Sequence, residues 1–136
     1  MNKEEILEYN KRCAEFLDYE LITPNKRRNP DEWKYSYWEH KNKANIHTSK
    51  KVLGRDEYLS FHSDWNWIME IVEAIEKLDN FYVQIEESAC YIYDISKFTD
   101  EQCNPFISCD LKLSSKKEAV IQAINQFLIW YNENRT

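Results

Sequence analysis

Apolar side chains recur at three- and four-residue steps across positions 61–78, which is typical of a helix that buries one face. Polar and charged side chains fill the opposite positions. Ser63 precedes the repeat, where its hydroxyl can accept a hydrogen bond from a free N–H group of the first turn, and Asp64 adds negative charge at the positive end of the helix dipole. The pattern predicts an amphipathic central helix with Ser63 as its N-cap. The apolar face of this predicted helix consists of Trp65, Ile68, Ile71, Val72, Ile75 and Leu78.

Two further helices are predicted, one towards each end of the chain. Asn2 and Glu5 have the spacing of an N-terminal cap, and an apolar stripe follows as far as Leu17. Ser115 and Glu118 form a Ser-x-x-Glu capping box, after which apolar residues again recur at helical spacing.

Short alternating runs between the helices predict strands over residues 19–23, 33–38, 81–85, 90–95 and 106–113. In the last of these runs Ile107 and Cys109 are on the apolar side, so we expect them to face the core. Because neighbouring strands are joined by short turns, the sheet should be mostly antiparallel. The predicted fold is α+β, a four- or five-stranded sheet layered with three helices in one domain over residues 1–136.

Composition narrows the classes of function. Gly54 is the only glycine, whereas phosphate-binding loops, dinucleotide fingerprints and nucleophile elbows all need glycine for close backbone approach. The sequence therefore excludes the usual P-loop, Rossmann and α/β-hydrolase enzymes. No apolar run is long enough to span a membrane, and the first residues carry acids without an apolar signal-peptide core. We expect a cytoplasmic protein with reduced cysteines, and their spacing predicts no metal site.

Charge is concentrated in one stretch of the chain. Residues 23–55, here named the basic aromatic segment, contain nine basic and three acidic residues, a net charge of +6, although the whole chain carries −6. Cationic side chains interleaved with aromatic rings suit phosphates and bases, respectively. We therefore predict that this segment, inserted before the central helix, binds a nucleotide or single-stranded nucleic acid. The predicted binding residues are Lys26, Arg27, Arg28, Trp33, Lys34, Tyr35, Tyr37, Trp38, Lys41 and Lys43.

The alternative interpretation of this segment is structural. Its aromatic rings would then pack on the helices and its lysines would solvate a surface loop. The net charge of −6 also argues against a general DNA-coating protein, which is expected to be basic overall.

A catalytic site is the less favoured interpretation of the chain. His62, Ser63 and Asp64 are adjacent, but a hydroxyl and a carboxylate at this point cap a helix, and no third partner or oxyanion-hole signal accompanies them. We therefore predict a non-enzymatic protein with no catalytic residues and no cofactor, and a small hydrolase built on His62 and Asp64 is the remote alternative.

The stretch FHSDWNWIMEIVEAIEKL, followed by strands and then SKKEAVIQAINQFLIWYNEN, resembles a group of small uncharacterised proteins of bacteriophages and prophages, especially those of gut Bacteroidetes. The order of elements is also similar, more distantly, to the phage ABA-sandwich domain, an α-β-α layered fold. The resemblance does not extend to residues 25–58. It implies a phage or prophage accessory protein in the cytoplasm of a bacterial host, and it transfers no catalytic residues.

Two kinds of partner follow from these expectations. The first is a nucleotide or single-stranded nucleic acid held by the basic aromatic segment. The second is a host protein, which the chain would neutralise as a protein–protein interaction module through its acidic surface or exposed aromatic residues.

Overall fold

A computed structural model describes residues 1–23, 36–42, 52–110 and 115–134. Its contacts divide the chain into two compact units, Met1–His62 and Ser63–Thr136. In these ranges the fold is α+β, with three α-helices and two antiparallel three-stranded sheets. The expectation of one four- or five-stranded sheet is wrong. Each sheet contains only strands that are neighbours in the chain, because the central helix separates the two sets.

The described residues of the first unit form one α-helix, one sheet and a 3-10 turn. Its elements are α1 (Lys3–Phe16), β1 (Tyr19–Ile22), β2 (Tyr37–His40) and β3 (Val52–Gly54). The sheet order is β1-β2-β3 with antiparallel pairing throughout. The cap predicted for α1 is confirmed, because Asn2 Oδ1 accepts a hydrogen bond from the backbone N–H of Glu5 at 2.9 Å.

The scarcity of glycine changes how the helices end. A helix is commonly followed by a residue with positive φ, and that residue is usually glycine. Here Asp18 has a φ of 66° after α1, and Asp79 has a φ of 70° after the second helix. Aspartate tolerates this region better than most side chains. Gly54, the only glycine, has a φ of 106° at the end of β3, so a side chain there would be strained although nothing lies within 4 Å of its Cβ position.

The core of the first unit contains aromatic residues that carry polar atoms. Tyr9, Tyr19 and Trp38 are at most 4% exposed. The indole N–H of Trp38 donates a hydrogen bond to the carboxylate of Asp56, at the start of a 3-10 turn over Asp56–Tyr58. The buried side of the β2 strand is therefore fixed by a polar contact as well as by packing.

The second unit contains two helices and the other sheet. Its elements are α2 (Trp65–Glu76), β4 (Phe81–Ile85), β5 (Ala89–Asp94), β6 (Ile107–Asp110) and α3 (Lys116–Asn134).

The N-cap predicted for the central helix is off by one residue, because Asp64 and not Ser63 accepts from the N–H of Asn66, at 2.8 Å. A carboxylate competes well with a hydroxyl at this position because it also favours the helix dipole. The cap predicted for the last helix is confirmed, with the N–H of Glu118 donating to Ser115 Oγ at 3.2 Å.

Alternation along the second sheet separates a core face from an outer face. The buried side chains are those of Val83, Cys90, Ile92, Ile107 and Cys109, as the predicted core face of the last strand requires. Helix α3 packs against β5 and β6 on this face, and the amide of its Gln126 donates to Cys109 Sγ at 3.3 Å.

An aromatic cluster closes one end of this core. The Phe81 ring centroid lies 5.0 Å from that of Phe127 and 6.0 Å from that of Trp130, both on α3. Phe106 lies 4.7 Å from Trp130. Edge-to-face contacts of this kind add to the free energy that burial of the rings provides.

The outer edge of β4 is protected by α2. The side-chain Oε2 of Glu76 accepts a hydrogen bond from the backbone N–H of Val83 at 3.4 Å. A carboxylate at an unpaired strand edge discourages pairing with another chain.

None of the helices in the described ranges is long and apolar enough to cross a membrane.

Candidate functional site

The structure describes three of the ten predicted binding residues. Trp38 is only 2% exposed, so its ring faces pack in the core and do not offer a stacking surface. Tyr37 is half-buried at the start of β2, and Lys41 is exposed just after that strand. Accessible aromatic and cationic groups therefore remain here at Tyr37 and Lys41. The other predicted residues lie outside the described residues: Lys26, Arg27, Arg28, Trp33, Lys34, Tyr35 and Lys43.

The two residues of the remote hydrolase interpretation both have structural roles. Asp64 caps α2. His62 Nδ1 lies 3.1 Å from the side-chain Nδ2 of Asn10, which can only donate, so Nδ1 accepts and the ring proton is on Nε2. Burial lowers the pKa of His62 below its usual value of 6.5, because desolvation disfavours the charged ring.

Metal and thiol chemistry have little support in the described ranges. Among these residues no group of three or more His, Cys, Asp or Glu side chains could hold a metal ion. Cys13, Cys90 and Cys109 are buried, whereas Cys103 is exposed. Burial, together with the neighbouring thiol of Cys109, raises the pKa of Cys90 to about 12, which leaves it a poor nucleophile.

The outer face of the second sheet carries a group of tyrosines, here named the tyrosine face: Tyr82, Gln84, Tyr91, Tyr93, Ser108 and Asp110. Alternation places them opposite the core, since their neighbours along each strand are buried or half-buried. The strand register sets Tyr82 opposite Tyr93, and Tyr91 between Gln84 and Ser108. Residues from three strands therefore meet on one surface.

Two rings of this face, those of Tyr82 and Tyr93, are in contact; Tyr82 is exposed, and Tyr91 and Tyr93 are half-buried. The centroids of Tyr82 and Tyr93 are 6.2 Å apart, and Tyr93 meets Phe98 edge-on at 5.8 Å. Tyr82 is 50% exposed and Phe98 37% exposed. Large rings left at the surface in contact with one another are a feature of interaction sites.

Hydrogen bonds hold part of the tyrosine face in place. The hydroxyl of Tyr93 donates to Gln84 Oε1 at 3.0 Å, and Gln84 Nε2 donates in turn to Glu86 Oε1 at 3.0 Å. This chain fixes the amide orientation and restrains the Tyr93 ring. A restrained surface loses less conformational entropy when a partner binds.

The electrostatic environment of this face is negative. The pKa of the Tyr91 phenol is raised, first by desolvation and then by the carboxylates of Asp110 and Glu86 and by Tyr93. The phenol therefore stays protonated and able to donate. Residues 63–136 include thirteen acidic and six basic residues, a net charge of −7, so the unit as a whole attracts cations.

Sequence reasoning missed these tyrosines as functional residues. Strands β4 and β5 were predicted to within one residue of their observed bounds, and Tyr82, Tyr91 and Tyr93 stand at the solvent-facing positions of the alternation, where polar residues are the norm. The presence of three tyrosines at solvent-facing positions was the sequence feature that could have indicated a binding surface. No protein-family model, curated protein or solved structure matches this chain, so its function is inferred from the geometry of its own residues.

Proposed function

We propose that this chain is a non-enzymatic binding protein that docks another protein on the tyrosine face, through arginine or lysine side chains of that partner. The observation that carries the proposal is that the exposed Tyr82 and the half-buried Tyr91 and Tyr93 lie on one outer face beside the carboxylates of Glu86 and Asp110. This is the alternative that the sequence offered, a protein–protein interaction module.

Tyrosine is suited to such a surface for two reasons. Its ring buries a large area while only two side-chain torsions are ordered, and its hydroxyl still finds a hydrogen-bond partner at the interface. Tyrosine is accordingly enriched at interface cores and among the residues that dominate binding energy. The Tyr82–Tyr93 pair provides a ring surface that already exists in the free protein.

The charges favour a basic partner. A guanidinium group can stack on a phenol ring and at the same time pair with a carboxylate. Tyr91 lies near both Asp110 and Glu86, so one site offers both kinds of contact. An acidic or phosphorylated partner would meet repulsion from the same carboxylates.

The test is a selection of random peptides against the immobilised full chain, followed by affinity measurements on enriched peptides. We expect peptides rich in arginine and lysine whose binding weakens at least about tenfold in Asp110→Lys, since like charges at an interface are strongly unfavourable. The matched control is Glu73→Lys, the same charge reversal at an exposed position of α2.

Two results would contradict the proposal. One is enrichment of peptides without basic residues. The other is equal weakening by Asp110→Lys and Glu73→Lys, because binding would then follow net charge and not the tyrosine face.

A second candidate function is the predicted binding of a nucleotide or single-stranded nucleic acid by the basic aromatic segment. It is favoured by the net charge of +6 in an otherwise acidic chain, and by the exposed Lys41 close to the half-buried Tyr37 in the sequence. Thermal unfolding with nucleotides and short oligonucleotides tests it, because a ligand of the folded state raises the melting temperature. A salt-sensitive rise that Arg27→Ala with Arg28→Ala abolishes would support binding. The control is the double exchange Lys77→Ala with Lys116→Ala.

The biological role we propose rests on the sequence resemblance. A phage or prophage accessory protein in the cytoplasm of a bacterial host would use a docking surface of this kind to bind and neutralise a host protein. Expression of the chain in such a host, with Asp110→Lys as the inactive comparison, would test whether the tyrosine face is needed for any effect on growth.

A further inference from the structure

A cleft of about 310 Å³ opens at the end of β5, on residues that the tyrosine face does not include. A 3-10 turn over Ile95–Lys97 and the connection to β6 form its walls. The residues that line it are Asp94, Lys97, Gln102, Asn104, Pro105 and Phe106.

The ammonium group of Lys97 lies in the cleft and indicates that the cleft can bind a cation. The ammonium group of Lys97 lies 4.9 Å from the ring centroid of Phe106 and 3.8 Å from Asp94 Oδ2. A cation is thus placed over an aromatic ring and next to a carboxylate, which is a favourable environment for ammonium and guanidinium groups. The Lys97 side chain is 65% exposed, so it is held by these weak contacts and not by burial.

The walls of the cleft are fixed more firmly than this occupant. Asp94 Oδ1 accepts from the backbone N–H of Ser96 at 3.1 Å and from its hydroxyl at 2.5 Å, and Asp94 is only 8% exposed. The Phe106 ring packs edge-on against Trp130 at 4.7 Å and lies 6.3 Å from Phe81. A ligand that displaces the Lys97 side chain would therefore find the Asp94 carboxylate and the Phe106 ring in the same positions.

We infer that this cleft is a binding site for a small organic cation, a primary ammonium or a guanidinium group, which displaces Lys97. The carboxylate of Asp94 and the ring face of Phe106 supply the two main contacts. The side-chain carbonyl oxygens of Gln102 and Asn104 can accept hydrogen bonds from the remaining N–H groups of the ligand. The net charge of −7 over residues 63–136 raises the local concentration of cations.

Two sources can present this chemistry, a free polyamine or a lysine or arginine side chain of another protein. The experiment titrates the isotope-labelled full chain with putrescine in one arm and with N-acetyl-arginine amide in the other. Amide chemical shifts in residues 94–106 report binding at the cleft. A response in either arm supports the site, and the tighter of the two probes identifies the source.

The decisive variant is Lys97→Ala, which removes the internal competitor. We expect it to tighten probe binding by about threefold, the scale of an exposed cation–π contact. The control is Lys77→Ala, which removes the same charge from an exposed position just after α2 and should leave binding within about 1.5-fold of the unchanged chain, as distant exposed charges are screened. Asp94→Asn should weaken binding about tenfold while it keeps the turn capped, because asparagine caps as well as aspartate.

Several outcomes would overturn the inference. These are no shift in residues 94–106 with either probe, equal tightening by Lys97→Ala and Lys77→Ala, and unchanged affinity in Asp94→Asn. Inorganic phosphate that binds here and is lost in Lys97→Ala would also overturn it, because the cleft would then be an anion site. Asp110→Lys tests the tyrosine face alone, so failure of one proposal is distinguishable from failure of the other.

Discussion

The two units use their tyrosines in opposite ways. In the second unit Tyr93 is on the outer face, its hydroxyl is paired with Gln84, and the core behind it is aliphatic and phenylalanine-rich. In the first unit Tyr9 is completely buried, and its hydroxyl meets no nitrogen or oxygen partner among the described residues. Burial raises the pKa of Tyr9, and the charge of the neighbouring Cys13 thiol and a weak hydrogen bond to it raise that pKa further.

This difference indicates which of the two cores has its buried polar atoms better paired by hydrogen bonds. A buried polar atom without a partner loses its hydration and gains nothing in return. Within the part of the chain that the structure describes, two buried atoms of the first unit, Tyr9 Oη and Asn10 Oδ1, meet no nitrogen or oxygen partner, whereas the second unit has no such atom. We therefore expect substitutions to be able to improve the core of the first unit, and only to damage the core of the second.

The largest effect should come from Phe127→Ala in the second unit. Phe127 is completely buried and touches Phe81, Trp130 and Tyr131 in the aromatic cluster. Removing the ring leaves a cavity that its neighbours cannot fill, so the free energy of unfolding should fall by about 3–5 kcal/mol. Urea unfolding followed by tryptophan fluorescence and circular dichroism measures this loss.

The control for this prediction is Tyr82→Ala on the outer face of the same sheet, which should change the free energy of unfolding by no more than about 0.5 kcal/mol. Comparable losses from the two variants would mean that the tyrosine face is part of a core. The division into an inner and an outer face would then be wrong.

The next largest effect should be a gain, from Tyr9→Phe in the first unit. The exchange keeps the ring and removes a buried hydroxyl whose neighbouring thiol is only a weak hydrogen-bond partner, so the free energy of unfolding should rise by about 1–2 kcal/mol. Tyr93→Phe is the matched control, because it removes a hydroxyl that is paired with Gln84 and should lower the free energy of unfolding by about 0.5–1 kcal/mol. A loss in both variants would show that Tyr9 has a partner in solution and would remove the contrast between the units.

The same contrast explains what the sequence could and could not predict. Strand β6 and most of β4 and β5 alternate between more buried and less buried residues, so their faces followed directly from the sequence. In the β2 region both sides of the alternation carry aromatic rings, so the pattern could not decide which ring is buried. The indole N–H of the buried Trp38 donates to the carboxylate of Asp56, which lies 18 residues further along the chain, so this contact was not visible in the local pattern.

The pairing of strands that are distant in the sequence was the other feature that the sequence could not predict. Short turns predicted antiparallel neighbours, but no local signal states whether β3 pairs with β4 or stays with β2. The cleft was missed for the same reason, because Lys97 and Phe106 come together only through the fold of the connection between β5 and β6.

The third prediction concerns the polar contact that buries Trp38. Asp56→Ala removes the acceptor of its indole N–H and should lower the free energy of unfolding by about 1 kcal/mol, since a mostly buried donor is left without a partner. Asp56→Asn keeps an acceptor oxygen and should lose less than half of that amount. If the two variants were equally destabilised, the negative charge of Asp56 would matter and not its hydrogen bond. Urea unfolding measures both.

The smallest effect should be a dependence of stability on pH that originates at His62. Because burial lowers the pKa of His62 in the folded chain, the unfolded chain binds a proton more readily between its own value near 6.5 and the lower folded value. The contribution of His62 to the free energy of unfolding is therefore complete above pH 6.5, falls as the pH drops through this window, and levels off below the folded pKa. Protonation would also place a donor on Nδ1 opposite the amide N–H of Asn10.

His62→Asn isolates this effect from the other titrating groups. Its side-chain oxygen can take the place of Nδ1 as acceptor from Asn10, but it has no proton to gain in this range. Urea midpoints measured from about pH 7.5 to pH 5 should therefore fall more steeply for the unchanged chain than for the variant. Because every other histidine and carboxylate is common to both proteins, the difference between the two curves belongs to His62. Parallel curves would mean that the His62 ring is as well hydrated in the folded chain as in the unfolded one. His62 would then not belong to the buried polar contacts of the first unit, which would retain the hydrogen bond from Asn10 to the carbonyl of Leu59.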